Sequence, residues 1–391
     1  MKRATDIPNS EYENRINIVR KKIDDNNADA GIWFSSQSIE YLTGFYHLQT
    51  ERPVVLIITS DKIQSIVPKL EYSRVKTNSI IEASKYYFDY PGTGPMNTIK
   101  EVLDSLNISS AAADMDGPPN VMGYEGPALS NYITIQMQSW VPEQRRQKTS
   151  AEIAVMREAS KWAHFGHKNL VEKIVPGAAQ GTISQQTSSK TSEVMINTLG
   201  KYYIPRTGIY FDGPVHTGMH SGAQTADPHP FPDNRELKRG DTIVTAAEVN
   251  VDGYLSEIER TMFLGEPSAT QREYYEIMLH AQQVGINACS SGTPVSEVAS
   301  LVWDVFVEAG VQDYAYHHVG HGLGMESHEV PYVDRGSDKI LSVGDVITIE
   351  PGIYIDGHGG YRHSDPVVIH DDGIELLNSW PRDIDSNIIP V

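Results

Sequence analysis

Hydrophobic and polar positions in the first part of the chain alternate between helical and strand-like spacing. Residues 11–27 are mostly polar but carry the apolar residues Ile16, Ile18, Val19 and Ile23, which predicts a polar helix. Short apolar runs at residues 30–34, 54–59 and 111–114 predict buried strands, and residues 99–106 predict a second helix. Alternating strands and helices predict a small α/β domain over residues 1–145.

A long helix marks the start of a second, larger domain. Thr149 and Glu152 have the spacing of a capping box, and apolar residues recur at helical intervals from Ile153 onward. Helical patterns return at residues 184–199, 269–291 and 295–309, and strand patterns occupy residues 242–249, 254–263, 346–349 and 367–369. Helices interleaved with antiparallel hairpins predict an α+β domain over residues 150–391.

Charge and composition limit the partners that we expect. The 391 residues carry a net charge of −19, which disfavours binding to nucleic acids and to anionic membranes. No apolar run is long enough to span a bilayer, and residues 1–15 lack the apolar region of a secretory signal. The single cysteine, Cys289, fits a reducing compartment. We therefore expect a cytoplasmic enzyme that acts on a small-molecule substrate.

Five segments of the larger domain concentrate histidine, acidic, glycine and proline residues. They cover residues 221–230, 240–265, 317–328, 348–354 and 357–365. Such segments at strand ends and loops commonly present side chains into clefts. His216 and His220 are four residues apart, as in a helical metal pair, but the intervening glycine and the nearby Pro214 argue against a helix there.

Taken in order, the fragments DPHP, GYLSEIERT, GHGLGMESHEVP and IEPGIY resemble the pita-bread family of Xaa-Pro peptidases, methionine aminopeptidases and creatinase. The likeness covers residues 150–391, and residues 1–145 resemble the smaller domain that prolidases and creatinase share. The resemblance implies an α+β pita-bread catalytic domain that follows a smaller α/β domain. It also implies a homodimer with active sites at the subunit interface.

The metal site of this family is incomplete in the chain. The peptidases hold two divalent ions with five ligands, and the matching residues are Ala246, Glu257, His321, Glu350 and Ser364. Two divalent ions beside only two carboxylates would leave uncompensated positive charge in a cleft, which is costly. We therefore expect no metal cofactor. One divalent ion held by Glu257, His321 and Glu350 is the alternative.

The creatinase branch of the family works without metal, and the chain resembles creatinase most closely. The resemblance implies that His229 is the acid–base group and that Glu259 and Glu350 bind a cationic guanidinium. Two carboxylates suit that task because they accept the planar N–H groups in pairs. A neutral imidazole near its ordinary pKa suits proton transfer to and from water.

Four further residues complete the expected substrate-binding set. Arg52, which precedes a predicted strand as in creatinase, would bind the substrate carboxylate. Arg335 is a weaker match for the same task, and Glu257 and His321 would line the pocket. If the homodimer forms as in creatinase, Arg52 would act on the active site of the partner subunit.

These residues lead us to expect metal-independent hydrolysis of a C–N bond in a small guanidino or amidino acid, as in creatine conversion to sarcosine and urea. One alternative is an Xaa-Pro dipeptidase-like or aminopeptidase-like metallopeptidase with a reduced metal site. A second is a metal-free branch resembling ectoine hydrolase, against which Glu259 argues. A third is a binding module, which the retained His229, Glu259 and Glu350 disfavour. The extra acids Glu248 and Glu257 leave the substrate open.

Overall fold

The chain forms two compact units, Ile7–Arg145 and Arg146–Val391. The computed structural model describes residues 7–78, 80–89, 94–201, 203–206, 213–231 and 233–391. Throughout the described ranges, every helix is too short or too polar to cross a lipid bilayer.

The N-terminal unit is a six-stranded mixed sheet with helices. The strand order is β4-β3-β2-β1-β5-β6. The helices are α1 (Asn9–Asp25), α2 (Ser36–Thr43), α3 (Tyr72–Val75), α4 (Gly94–Ser105) and α5 (Trp140–Arg146). The strands are β1 (Ala30–Trp33), β2 (Val55–Ile58), β3 (Ile63–Pro68), β4 (Ala83–Tyr87), β5 (Ser110–Ala113) and β6 (Thr134–Met137).

Burial of apolar strands on both faces explains why the short runs predicted as strands do form the centre of this sheet. Every residue of β1 and β2 is buried, and β1 pairs with β2 antiparallel and with β5 in parallel. Asp114, just after β5, accepts backbone hydrogen bonds from Phe34 (2.9 Å) and Ser35 (3.0 Å). These bonds fix the turn that leads from β1 into α2.

The described residues of the C-terminal unit form three sheets and four α-helices. The helices are α6 (Ser150–Val171), α7 (Gln180–Leu199), α8 (Ala269–Ala288) and α9 (Val295–Glu308). The strands are β7 (Val215–Ser221), β8 (Thr242–Val251), β9 (Tyr254–Leu264), β10 (Gly320–Gly322), β11 (Glu329–Val333), β12 (Val346–Ile349), β13 (Gly352–Ile355), β14 (Gly359–Arg362), β15 (Asp365–His370), β16 (Gly373–Leu376) and β17 (Ile388–Ile389). The sheet orders are β17-β9-β8-β7, β11-β10-β12-β15-β16 and β13-β14. The α+β class predicted from the sequence is confirmed.

Helix α6 begins where the capping box places it. The Thr149 hydroxyl accepts from the Glu152 backbone N–H (3.4 Å), and Glu152 accepts from the Thr149 N–H (2.8 Å). The second carboxylate oxygen of Glu152 accepts from the Tyr254 hydroxyl (2.8 Å) on β9. The cap therefore both starts the helix and anchors it to the central hairpin.

Buried polar contacts join the four-stranded sheet to the five-stranded one. Glu259 on β9 and Ser364, just before β15, exchange backbone hydrogen bonds of 3.3 and 3.1 Å. Beside them, Arg260 and Asp365 form a buried ion pair (2.8 Å), and Gln282 of α8 donates to the same carboxylate (2.9 Å). These contacts set the carboxylates of β9 opposite the segments around β10, β12 and β14.

Strand β7 is an element that the sequence patterns did not predict. Its residues alternate between buried and half-buried positions, which is the burial pattern of a strand with one face packed. His216 and His220 therefore lie on a strand and not on a helix, as expected from the glycine between them.

Candidate active site

The β8–β9 hairpin presents a row of side chains to one face. Ala246 lies directly opposite Glu259, and Glu248 lies directly opposite Glu257. Residues opposite each other in an antiparallel pair share a face of the sheet, so three carboxylates and one methyl group project together. The tight turn at Asp252 and Gly253, both with positive φ, fixes this register.

Glu257, His321 and Glu350 lie together where this face meets the second sheet. One donor atom from each of the three lies within 4.8 Å of the others. His321 comes from β10, Glu350 directly follows β12, and the His321 Nε2 atom is 3.1 Å from Glu350 Oε1. The structure thus places together the three residues that the sequence analysis names for a single ion as the alternative to no metal.

The tautomer of His321 suits metal binding. Its Nδ1 atom lies 3.0 Å from the backbone oxygen of Gly322, which can only accept, so Nδ1 carries a proton. The Nε2 atom then faces Glu350 and the rest of the donor set. Histidines that bind metal are held in this way, with the second ring nitrogen donating to a carbonyl or carboxylate.

Burial shapes the charges of the site. It raises the pKa of Glu257 to about 8 and that of Glu248 to about 7. Burial also opposes charge on Glu350 and His321, but their mutual attraction outweighs it, lowering the pKa of Glu350 and raising that of His321. The protonated imidazole balances one carboxylate, and a bound cation would take over that role.

The other two predicted ligand positions, Ala246 and Ser364, lack a carboxylate. Ala246 has no donor atom. The Ser364 hydroxyl donates to Glu257 Oε1 (2.6 Å), so it orients a carboxylate instead of supplying one. Two carboxylates and one imidazole balance one divalent cation and not two.

Glu259 is occupied by a guanidinium of the chain itself. Arg362 on β14 donates from Nε to Glu259 Oε2 (2.5 Å) and from Nη2 to Glu259 Oε1 (2.9 Å). Its Nη1 donates to the Pro228 carbonyl (3.2 Å) and to the Tyr354 hydroxyl (3.0 Å). The Glu259 carboxylate, which was expected to bind a substrate guanidinium, thus already binds the guanidinium of Arg362.

A directed hydrogen-bond chain continues from Arg362. The His317 Nδ1 atom lies 2.7 Å from the His318 carbonyl and therefore carries a proton. Burial lowers the pKa of His317 to about 4, so its Nε2 atom accepts from the Tyr354 hydroxyl (2.8 Å). The chain fixes Tyr354 and holds β13 and β14 against the segment that precedes β10.

Three further histidines line the approach to the donor set. The His328 ring stacks on His321, with ring centroids 3.8 Å apart, and the His318 ring lies edge-on to both, at 5.9 and 6.2 Å. His229 is exposed, but the carbonyl of its neighbour Pro228 is held by Arg362. His229 also lies close enough to His318 and His328 to affect their pKa values.

The two arginines predicted to bind a substrate carboxylate have other contacts. Arg335 is exposed, and its guanidinium lies 3.9 Å from the ring centroid of Trp303 on α9. Arg52 belongs to the N-terminal unit, where it pairs with Glu51 and Asp89. The substrate-binding roles of both arginines stay predictions.

Sequence reasoning missed the partners that organise the site. Arg362, Tyr354, His317 and His328 fall within the histidine- and glycine-rich segments noted above, but nothing local assigns them tasks. The Arg362–Glu259 contact joins residues 103 positions apart. A correlated change at positions 259 and 362 among related sequences is the signal that could have revealed it.

Comparison with known proteins gives consistent matches over both units. Residues 154–371 match the sequence model of metallopeptidase family M24, and residues 15–159 match that of the creatinase/prolidase N-terminal domain. The Xaa-Pro dipeptidase of Pyrococcus furiosus is 28% identical over 374 residues, which cover 95% of this chain and 99% of the relative.

Solved structures agree in fold. The crystal structure of the prolidase from Pyrococcus horikoshii has a TM-score of 0.79 at 27% identity and covers 95% of this chain and 99% of its own. The Xaa-Pro dipeptidase from Bacillus anthracis has a TM-score of 0.82 at 24% identity, over 97% of this chain and 100% of its own, which shows the fold alone. The predicted pita-bread catalytic domain with a smaller N-terminal domain is confirmed.

These matches overturn the favoured functional prediction. Metal-independent hydrolysis of a non-peptide C–N bond, with creatinase as nearest relative and no cofactor, is wrong because the matches are to metallopeptidases and Xaa-Pro dipeptidases. The physical reasons lie in the site. Glu259 is neutralised by Arg362, while Glu257, His321 and Glu350 keep a metal-binding arrangement.

Proposed function

The chain belongs to metallopeptidase family M24, and from this we propose that it is an Xaa-Pro-type dipeptidase that works with one divalent metal ion. The observation that carries the proposal is the donor set of Glu257, His321 and Glu350, with their donor atoms within 4.8 Å of one another. The named relatives that cover nearly all of the chain, the Xaa-Pro dipeptidase of Pyrococcus furiosus among them, support the substrate class.

Charge balance favours one ion over two. Glu257 and Glu350 together neutralise one divalent cation, and the Arg362 guanidinium already neutralises Glu259. Among the described residues, a second divalent ion would have only Glu248, opposite Glu257, as a counter-charge, which leaves positive charge uncompensated in a cleft of low dielectric constant. Ala246 and Ser364 therefore support a reduced site that still functions, and they do not imply loss of metal binding.

The residues around the donor set hold it in place. The Gly322 carbonyl fixes the His321 ring, and the Ser364 hydroxyl fixes one oxygen of Glu257. The Arg362–Tyr354–His317 chain holds the strands behind Glu350. A divalent ion bound there would polarise the scissile carbonyl and lower the pKa of a bound water. Preorganisation of this kind limits the reorganisation that the reaction needs.

His229 remains our proposed acid–base group. Its loop is tied to the site through the Pro228 carbonyl, and its exposed ring can reach a substrate in the cleft. The homodimer with shared active sites, and with it the role of Arg52, also stays part of the proposal.

Turnover of Ala-Pro and related dipeptides tests this function. We expect cleavage that is lost on chelation and restored by manganese or cobalt. His321→Gln should remove both metal and turnover. The matched variant His370→Gln should keep both, because the partner of His370 among the described residues is Glu375 on β16 (3.0 Å). Cleavage that persists in chelator and in His321→Gln would refute the metallopeptidase assignment.

A further inference from the structure

Within the described ranges, one carboxylate at the site lacks a paired cation. Glu257 and Glu350 belong to the metal donor set, and Glu259 is bound to Arg362 through two hydrogen bonds. The fourth, Glu248, receives one side-chain hydrogen bond from the described residues, from the Ser327 hydroxyl to Oε1 (2.9 Å). Glu248 is half-buried, and its second carboxylate oxygen has no side-chain partner among the described residues.

The position of Glu248 determines how far a cation bound to it would lie from the metal donor set. Glu248 lies directly opposite Glu257 across the β8–β9 hairpin, and opposing Cβ atoms are about 5 Å apart in such pairs. A cation held by Glu248 therefore lies within the span of one amino-acid residue from the ion held by Glu257. In a dipeptide, one Cα atom separates the α-ammonium group from the scissile carbonyl.

We propose that Glu248 binds the α-ammonium group of the substrate. This inference rests on the proposed peptidase function. The Ser327 hydroxyl orients the carboxylate, and the unpaired oxygen accepts from the ammonium.

A purely structural role for Glu248 fits the contacts less well. Its bond to Ser327 touches the loop between β10 and β11, but Glu329 already holds that loop. One Glu329 oxygen accepts from the backbone N–H groups of Met325 (2.9 Å) and Glu326 (3.0 Å), and the other pairs with the buried Lys148 (3.2 Å). The loop therefore keeps its anchor when Glu248 is changed.

Comparing two substrates in Glu248→Gln distinguishes ammonium binding by Glu248 from a purely structural role. Hydrogen bonds to charged groups contribute enough that their loss lowers kcat/KM for Ala-Pro about tenfold to a hundredfold. For N-acetyl-Ala-Pro, which lacks the ammonium, kcat/KM should stay unchanged, as should the bound metal. Asp371→Asn, which removes an exposed carboxylate beyond β15, is the matched control and should leave both substrates unaffected.

Binding of an uncleavable ligand distinguishes failure of this inference from failure of the proposed function. Two ligands are compared: the ketomethylene isostere of Ala-Pro, which has a free amine, and its N-acetyl form. Each is titrated into the 391-residue protein, and calorimetry gives its affinity. We expect the free-amine form to bind at least tenfold more tightly, and Glu248→Gln to abolish that preference. Equal loss for both ligands, or no preference in the wild type, overturns the inference even if turnover is normal. A preference that persists without turnover refutes only the peptidase function.

Discussion

Replacing Glu259 by glutamine tests whether the Arg362 guanidinium neutralises the Glu259 carboxylate in the folded protein. The two side chains are 15% and 10% exposed and share two hydrogen bonds. Removing one partner of a buried ion pair costs about 3–5 kcal/mol, because the other charge is left buried. Arg362 keeps Tyr354 and the Pro228 carbonyl as partners, so we expect the lower end, about 3 kcal/mol.

Thermal unfolding measures this loss. For a unit of this size, 1 kcal/mol corresponds to about 2–4 °C in Tm, so Glu259→Gln should lower the Tm of the C-terminal unit by about 6–12 °C. Glu193→Gln is the matched control, because its pair with Lys190 is 60% and 62% exposed. Such exposed pairs contribute less than about 1 kcal/mol, so the control should unfold almost as the wild type does.

A double-mutant cycle gives the coupling directly. If the pair is as tight as its geometry indicates, Glu259→Gln combined with Arg362→Met should cost less than the sum of the single changes, by more than about 1.5 kcal/mol. A Tm for Glu259→Gln within 2 °C of the wild type, by the criterion of about 2–4 °C per kcal/mol, would refute the reasoning. It would mean that the Glu259 carboxylate stands free for an external cation.

Two further outcomes are expected. Burial raises the pKa of Asp114 to about 6, so the folded state holds its proton more tightly than the unfolded chain does. The stability that this proton contributes is complete below about pH 4 and is lost as pH rises through about 6. The unfolding free energy of the wild type, measured relative to Asp114→Asn by urea titration, should therefore fall by about 2 kcal/mol between about pH 4 and 7. A pH-independent difference would contradict this. His229→Ala should lower kcat for Ala-Pro about 10²–10⁴-fold without loss of metal, and an unchanged kcat would exclude His229 from the chemistry.

Local signals sufficed for the elements that the sequence predicted. The capping box at Thr149 and the apolar alternation of the 240–265 hairpin depend on neighbours a few residues apart, and both are present as expected. Strand β7 escaped prediction because its polar face carries histidine and glycine, which mimic the composition of a loop.

The members of the proposed donor set could be named from the sequence, as the alternative to no metal, but the role of Glu259 could not. Glu257, His321 and Glu350 each lie in a short fragment whose resemblance points to a ligand position. The sequence around Glu259 does not identify the partner of its carboxylate. The partner is Arg362, which lies in a different sheet and contacts Glu259 only in the folded structure. If that contact is unknown, Glu259 beside the missing ligand at Ala246 suggests a site for an external cation. The functional prediction was wrong for this reason.

The number of divalent ions bound per chain tests the central claim most directly. After dialysis against manganese and removal of free ion, elemental analysis should find one ion per wild-type chain and none in His321→Gln. One ion is the result that Glu257, His321 and Glu350 predict, with Ala246 and Ser364 unable to hold a second. Two ions per chain, or none, would contradict the single-metal site.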